Sequence, residues 1–163
     1  MANGGKLAHG PLSATGVVIV AAVVAIDQLA KAIAEATLPL GQTIDLLPFL
    51  ALYRVHNTGI AFSMFAGSGA VLIGLMVGVT AIVIAFWVQS RDGGRLVAAG
   101  FALILGGALG NLIDRLRFGY VVDFLLLHVG ETTLFVFNLA DSALTLGPVV
   151  LFIVFLWPVR PEN

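Results

Sequence analysis

Four long apolar stretches constrain this chain more than any other feature of its sequence. They lie at about residues 15–34, 68–88, 96–113 and 138–157, and each approaches the roughly 20 residues that a helix needs to cross a bilayer core. Of the 163 residues, 60% are hydrophobic and 10% are charged, whereas about a quarter are charged in a soluble domain. The sequence therefore predicts a mainly α-helical membrane protein with four transmembrane helices.

The first apolar stretch allows two interpretations. It follows Lys6 and ends near the small residues Ala34 and Ala36, as a cleavable signal peptide does. Its core contains Asp27 and Lys31, however, and it is longer than the apolar region of such a peptide. We therefore predict that it is retained as a membrane anchor.

The connections between the stretches predict a single domain, residues 1–163, with its larger loops on one side. Residues 89–95 form a short polar turn, so the second and third helices are antiparallel neighbours. Residues 38–62 and 117–136 lie on the opposite side and contain β-branched and aromatic runs, namely FLALYRV, VVDFLLL and TTLFVF. We expect these segments to form a small sheet on the membrane surface.

Composition restricts the chemistry and the partners of the chain. Cysteine is absent, which excludes disulfides and thiolate nucleophiles, and the histidines at positions 9, 56 and 128 are isolated, so we predict no metal site. The net charge of −1 gives no indication of a nucleic-acid partner. The 8 lysine and arginine residues divide equally between the two sides of the membrane. Arg91 and Arg95 lie in the shortest loop, which favours cytoplasmic termini.

Small residues and charge pairs have structural interpretations. Gly74-x-x-x-Gly78 and Gly106-x-x-x-Gly110 predict close approach of helices. One helical turn separates Asp27 from Lys31, which predicts an ion pair.

The ion pair of Asp27 and Lys31 either neutralises itself near the membrane interface or serves as a structural clamp beside a site. We expect this pair to take no part in the chemistry. Asp114 and Arg115 allow a simple charge pair at a helix end. Asn57 and Gly59 allow an ordinary turn with a positive φ at the glycine, or a surface that faces a bound peptide.

Two aspartates are harder to explain by structure alone. Asp123 lies in VVDFLLL with no evident cation, and Asp141 follows Asn138, which is the better candidate for the cap of the fourth helix. These residues collect on one side of the membrane with Asn111 and Arg115. Two neighbouring carboxyl groups cannot both ionise cheaply, so one can act as an acid and the other as a base. The arrangement predicts a pair that activates water for amide hydrolysis.

Two other classes of function compete with hydrolysis. Buried carboxylates also form proton relays in carriers and channels. The second stretch has no titratable residue between positions 68 and 89, and the third has none between 96 and 112, so no relay crosses the membrane. A passive assembly subunit would leave Asp123 and Asp141 unexplained.

Five blocks, in order along nearly the whole chain, resemble those of the lipoprotein signal peptidases (signal peptidase II), the membrane aspartic peptidases of bacteria. Ala30 in the first block stands where the family has a hydroxyl residue. The blocks are DQLAK at 27–31, NTGIAFS at 57–63, GGALGNLIDR at 106–115, GYVVDF at 119–124 and FNLADS at 137–142.

The resemblance implies four transmembrane helices and a small periplasmic β-sheet, in a multi-pass protein of the bacterial inner membrane with cytoplasmic termini and a site at the periplasmic face. It implies removal of the signal peptide from diacylglyceryl-modified prolipoproteins, just before the lipidated cysteine, by a monomer without a cofactor. Membrane lipid and globomycin-type inhibitors are the other implied partners. The implied catalytic pair is Asp123 and Asp141. The residues that line or support the site are Asn57, Gly59, Asn111, Arg115 and Asn138.

Overall fold

The computed structural model describes residues 9–59 and 69–156, which form four long helices and one small antiparallel sheet. All four helices are long and apolar enough to cross a membrane. The predicted fold class is therefore confirmed. Along the chain the elements are α1 (Ala14–Thr37), β1 (Thr43–Leu47), β2 (Leu50–Asn57), α2 (Gly69–Gln89), α3 (Gly94–Phe118), β3 (Val121–Val129), β4 (Thr132–Phe137) and α4 (Leu139–Leu156).

Two helices extend further than the apolar pattern predicts. Helix α1 runs to Thr37 because Pro39 restricts Leu38 to the extended conformation, which it adopts at φ −95° and ψ 130°. Helix α3 runs past the predicted end at residue 113 and is closed by Gly119 at φ 80°. Polar residues that follow the apolar run thus belong to the helix. The rest of the NTGIAFS block, residues 60–63, lies outside the described residues.

Helix α3 is the central helix and packs against the other three. A Cβ at Gly106 would lie 2.7 Å from Cβ of Val23 in α1, and one at Gly110 would lie 2.7 Å from a carboxylate oxygen of Asp27. The close approach predicted from this glycine spacing is confirmed. The glycines of α2 at positions 74 and 78 make no close approach within the described chain, since nothing in it lies within 4 Å of an added Cβ at either position.

The sheet lies at one end of the helices, since β1 and β2 follow α1 while β3 and β4 follow α3. Its strand order is β1-β2-β3-β4, with antiparallel pairing throughout. The three predicted strand segments are confirmed as parts of β2, β3 and β4. Strand β1 was not predicted, because all of its residues are exposed and no alternation marks it. Pairing of β2 with β3 sets Val55 opposite Asp123 and Asn57 opposite Val121.

Candidate active site

Asp123 is a buried carboxyl group near the start of β3. The neighbouring strand β2 places Asn57 beside it, and Nδ2 of Asn57 donates to Oδ2 of Asp123 at 2.8 Å. Nδ2 of Asn138 donates to Oδ1 of Asp123 at 2.6 Å. Only 1% of Asp123 is exposed, so two amide groups replace the water that would otherwise solvate this carboxyl group.

Asp141 lies in the first turn of α4, where a helix N-terminus favours negative charge. Its Oδ2 accepts from the backbone N–H of Asn138 at 3.2 Å, and its own N–H donates to Oδ1 of Asn138 at 2.9 Å. These reciprocal bonds form a capping box. The cap predicted for Asn138 is confirmed, and Asp141 completes it. The other oxygen of Asp141, Oδ1, accepts from Nδ2 of Asn111 at 2.7 Å.

Asn138 connects the two aspartates and is fully buried. A backbone N–H can only donate, so the atom of Asn138 that faces the N–H of Asp141 must be the amide oxygen. The amide nitrogen of Asn138 therefore faces Asp123 and donates to it. The structure thus brings Asp123 and Asp141 together around one side chain at the sheet end of the helices.

Burial raises the pKa of Asp123 from its ordinary value of 3.8 to about 6. The hydrogen bond from Asn57 opposes this rise in pKa, the negative charge of Asp141 adds to it, and the hydrogen bond from Asn138 and the charge of Lys31 oppose it. A carboxyl group that titrates near pH 6 can both give and take a proton close to neutral pH. Asp123 is thus suited to general acid or base chemistry.

A cluster of buried charges adjoins this pair. Nζ of Lys31 lies 2.8 Å from Oδ2 of Asp27 and 3.0 Å from Oδ2 of Asp114, and all three side chains are buried. The predicted ion pair of Asp27 and Lys31 is confirmed, but it does not neutralise itself alone, because Asp114 shares the ammonium. The charge pair considered for Asp114 and Arg115 is not found among the described residues, where Asp114 pairs with Lys31.

Hydrogen bonds connect the cluster to the helices and to strand β3 around it. Oδ1 of Asp27 accepts from the backbone N–H of Ala140 at 2.8 Å, in the first turn of α4. Asp114 accepts from Nε2 of Gln28 at 2.7 Å and from the backbone N–H of Val122 at 3.1 Å. The sequence did not predict these contacts of Asp114 and Gln28. The i, i+3 spacing of Asp114 from Asn111 was the signal that could have placed Asp114 on this face.

Arg115 and Gly59 lie together beside the pair. A Cβ at Gly59 would lie 3.7 Å from Nη1 of Arg115. Gly59 has a φ of 89° and its N–H donates to Oδ1 of Asn57 at 2.8 Å, so the predicted turn is confirmed. Within the described residues, Arg115 makes no hydrogen bond to Asp123 or Asp141. The sequence predicts only that this guanidinium lies on the same side of the membrane as the two carboxyl groups.

Comparison with known proteins identifies the family of this chain. Residues 19–157 match the family described as signal peptidase (SPase) II. The chain belongs to the signal peptidase II family. It is therefore an enzyme, a protease of the aspartic type.

Relatives from other bacteria match most of the chain. A protein of Mesorhizobium japonicum named lipoprotein signal peptidase is 43% identical over 148 residues, which are 89% of this chain and 88% of the relative. A protein of Brucella ovis with the same name is 48% identical over 140 residues, which are 85% of this chain and 86% of the relative. The similarity thus extends over almost the full length of both proteins.

Two solved structures of bacterial membrane enzymes, both determined by the in meso method, have a similar fold. One has a TM-score of 0.79 at 29% sequence identity and covers 89% of this chain and 94% of its own. The other has a TM-score of 0.75 at 29% identity and covers 91% and 94%. The fold of this signal peptidase II family member, including its multi-pass membrane architecture, is thus shared with experimentally determined enzymes.

A cavity of about 490 Å³ opens beside Asp141 in this member of the signal peptidase II family. Asp141 is the only charged residue among those that line the cavity in the described chain, and the aromatic walls come from β4. An apolar chain fits such a surface, with the acidic group at its edge. The lining residues are Phe135, Phe137, Asp141, Ser142, Thr145 and Leu146.

Proposed function

We propose that this chain removes the signal peptide from diacylglyceryl-modified prolipoproteins by cleaving just before the lipidated cysteine. The observation that carries the proposal is the pair of carboxyl groups, Asp123 and Asp141, joined by Asn138 in a member of the signal peptidase II family. The names of the relatives from Mesorhizobium japonicum and Brucella ovis support lipoproteins as the substrate class.

Asp123 and Asp141 are the catalytic residues of the proposed reaction. The hydrogen bonds to their oxygens support this assignment, since they hold both carboxyl groups in place. Asp27 and Lys31 have a structural role in this proposal, as members of the buried charge cluster. The residues that line or support the site are Asn57, Gly59, Asn111, Arg115 and Asn138.

The proposed hydrolysis needs one proton shared between the two carboxyl groups. The ionised carboxylate takes a proton from water, and the water oxygen forms a bond with the scissile carbonyl carbon while the carbonyl oxygen takes the proton of the neutral carboxyl group. The carbon–nitrogen bond of the resulting diol then breaks. The leaving nitrogen takes one proton from the first aspartate, and a hydroxyl of the diol returns one to the second. Side chains and water suffice for these steps.

The lipid anchor of the substrate sets the depth of the scissile bond. In the proposed mechanism the diacylglyceryl group stays in the bilayer, so it holds the cleavage site at the level of the carboxyl pair. We therefore expect purified enzyme to cleave a lipidated prolipoprotein at least roughly a hundredfold faster than the same precursor without lipid, because positioning alone is worth several kcal/mol. The measurement is the initial rate for both precursors in the same detergent. Equal rates would refute this substrate class.

We propose that the chain crosses the bacterial inner membrane with its termini in the cytoplasm and with the sheet and the carboxyl pair at the periplasmic face. Reporter fusions after Gly94 and Asn163 should then report the cytoplasm, because two and four crossings precede them. Fusions after Gly41 and Gly130 should report the periplasm. A single fusion on the other side contradicts this topology.

We further propose that residues 1–163 form one domain that works as a monomer. Both aspartates and the three asparagines that hold them come from a single chain, which supports this. Globomycin-type inhibitors would compete with the substrate beside Asp141, where the apolar cavity opens.

A further inference from the structure

Lys31 lies outside the proposed catalytic pair, yet it makes the shorter of two contacts that orient an amide beside this pair. Its Nζ lies 2.9 Å from Oδ1 of Asn111, in addition to its contacts with Asp27 and Asp114. An ammonium group has three N–H donors and no acceptor. All three donors are used here, and the atom of Asn111 that faces Lys31 must be the amide oxygen. Nδ2 of Asn138, at 3.2 Å, is a second donor to this oxygen.

The amide nitrogen of Asn111 is consequently directed at Asp141, whose Oδ1 lies 2.7 Å away. If the amide were turned around, its nitrogen would face the ammonium of Lys31, and two donors would oppose each other. Its oxygen would face Asp141, which could then make a hydrogen bond only in its protonated form. The ammonium of Lys31, with the shorter contact, and the amide nitrogen of Asn138 thus both favour the orientation of Asn111 that donates to an ionised Asp141.

We propose that Lys31 is a positioning residue of the peptidase reaction, which holds the Asn111 amide so that Asp141 is the ionised base and the shared proton stays on Asp123. This inference rests on the proposed function and assigns the two roles that the proposal leaves open. Asp141 takes the proton from water, and Asp123 gives its proton to the carbonyl oxygen.

The surroundings of Asp123 agree with this assignment. Its side chain is almost fully buried, whereas Asp141 is partly exposed at the cavity. A buried carboxyl group is the one that retains a proton more readily, and burial raises the pKa of Asp123 to about 6. The charged groups that surround the Asn111 amide and the carboxyl pair in the described chain are Lys31 and Asp27 of α1, Asp114 and Arg115 of α3, and Asp123 of β3.

A purely structural role for Lys31 makes a different prediction. If Lys31 only neutralises Asp27 and Asp114, its loss lowers thermal stability and activity but leaves the pH dependence of the reaction unchanged. If it positions Asn111, its loss leaves only the longer contact from Asn138, at 3.2 Å, to keep the amide nitrogen of Asn111 directed at the ionised base. The acid limb of the pH profile of kcat/KM then moves to higher pH.

The test uses Lys31→Met combined with Asp27→Asn in the full-length enzyme. This double variant removes one positive and one negative charge, so the formal charge of the buried cluster is unchanged. We expect its acid limb to lie about one pH unit above that of the wild type, which is the effect of losing one hydrogen bond to a charged group. The matched control, Asp27→Asn alone, keeps Lys31 beside Asn111, and its acid limb should not move to higher pH, because loss of a nearby negative charge favours ionisation of a carboxyl group.

A second variant keeps the inference testable if the double variant does not fold. Asn111→Ala removes the same donor from Asp141 while Asp27 and Asp114 still pair with Lys31, and we expect a similar shift of the acid limb. An unmoved acid limb in either folded variant overturns the inference. Failure of the wild-type enzyme to cleave the lipidated precursor would instead overturn the proposed function, so the two failures are distinguishable.

Discussion

Replacement of Asp123 or Asp141 by Asn is expected to lower the initial rate of cleavage of a lipidated precursor at least roughly a thousandfold, a barrier increase of about 4 kcal/mol. Asn has nearly the size of Asp but can neither take a proton from water nor give one to the carbonyl oxygen. The two residues act as one unit, so the double variant should be hardly slower than either single variant. A double variant whose loss equals the product of the two single losses would show that the residues act independently.

The thermal stability of Asp123→Asn should depend on pH in a defined direction. Burial raises the pKa of Asp123 from 3.8 to about 6. Between these values the unfolded chain loses its proton while the folded chain keeps it, so the stability of the wild type falls as pH rises. Above pH 6 the wild type has lost about 3 kcal/mol of its free energy of unfolding, since one pKa unit corresponds to about 1.4 kcal/mol. The variant has no such titration.

Instead, Asp123→Asn loses an amount of stability that does not depend on pH. The amide nitrogen introduced at position 123 faces an N–H of Asn57 or Asn138, because both of these amides are held in orientation by backbone N–H groups. We therefore expect Asp123→Asn to melt below the wild type at pH 4.5 and to match or exceed it at pH 7.5. Melting temperatures in one detergent at both pH values provide the test, and a difference that does not change with pH contradicts it.

Asp114→Ala should give the largest loss of stability among single substitutions outside the catalytic pair. The carboxylate accepts three hydrogen bonds, from Lys31, Gln28 and the backbone of Val122, and it connects α1, α3 and β3. Its removal leaves the N–H of Val122 buried without a partner. We expect a loss of roughly 3 to 5 kcal/mol in the free energy of unfolding.

The exposed Asp92 provides a matched control for this substitution. Asp92→Ala removes the same charge from a turn and should change the free energy of unfolding by less than about 0.5 kcal/mol. Unfolding of both variants in mixed micelles gives the comparison. Equal stabilities would mean that the buried cluster does not hold the sheet to the helices.

The sequence predicted the helices, three of the strands and the meeting of the two aspartates, because each of these has a recognisable local sequence pattern. A charged residue within an apolar run is such a pattern, and both Asp123 and Asp141 lie in apolar runs. The apolar pattern does not mark a helix end when polar residues continue the helix. This is why α3 extends through Asp114 to Phe118 beyond the predicted boundary.

The contacts of the buried cluster were not predictable in the same way. Lys31 was assigned to Asp27 by spacing along one helix, whereas its second partner, Asp114, comes from another helix. Which side chains meet across two helices depends on how each helix is rotated about its axis, and packing of glycines such as Gly110 against α1 determines this rotation.

The cleavage rate of Asp123→Asn decides whether Asp123 and Asp141 form one catalytic pair. The measurement is the initial rate on a lipidated prolipoprotein at equal amounts of folded enzyme, with the wild type assayed beside it in the same detergent. We predict at most about a thousandth of the wild-type rate. A variant that keeps more than about a tenth of that rate, a barrier change under about 1.4 kcal/mol, would contradict it.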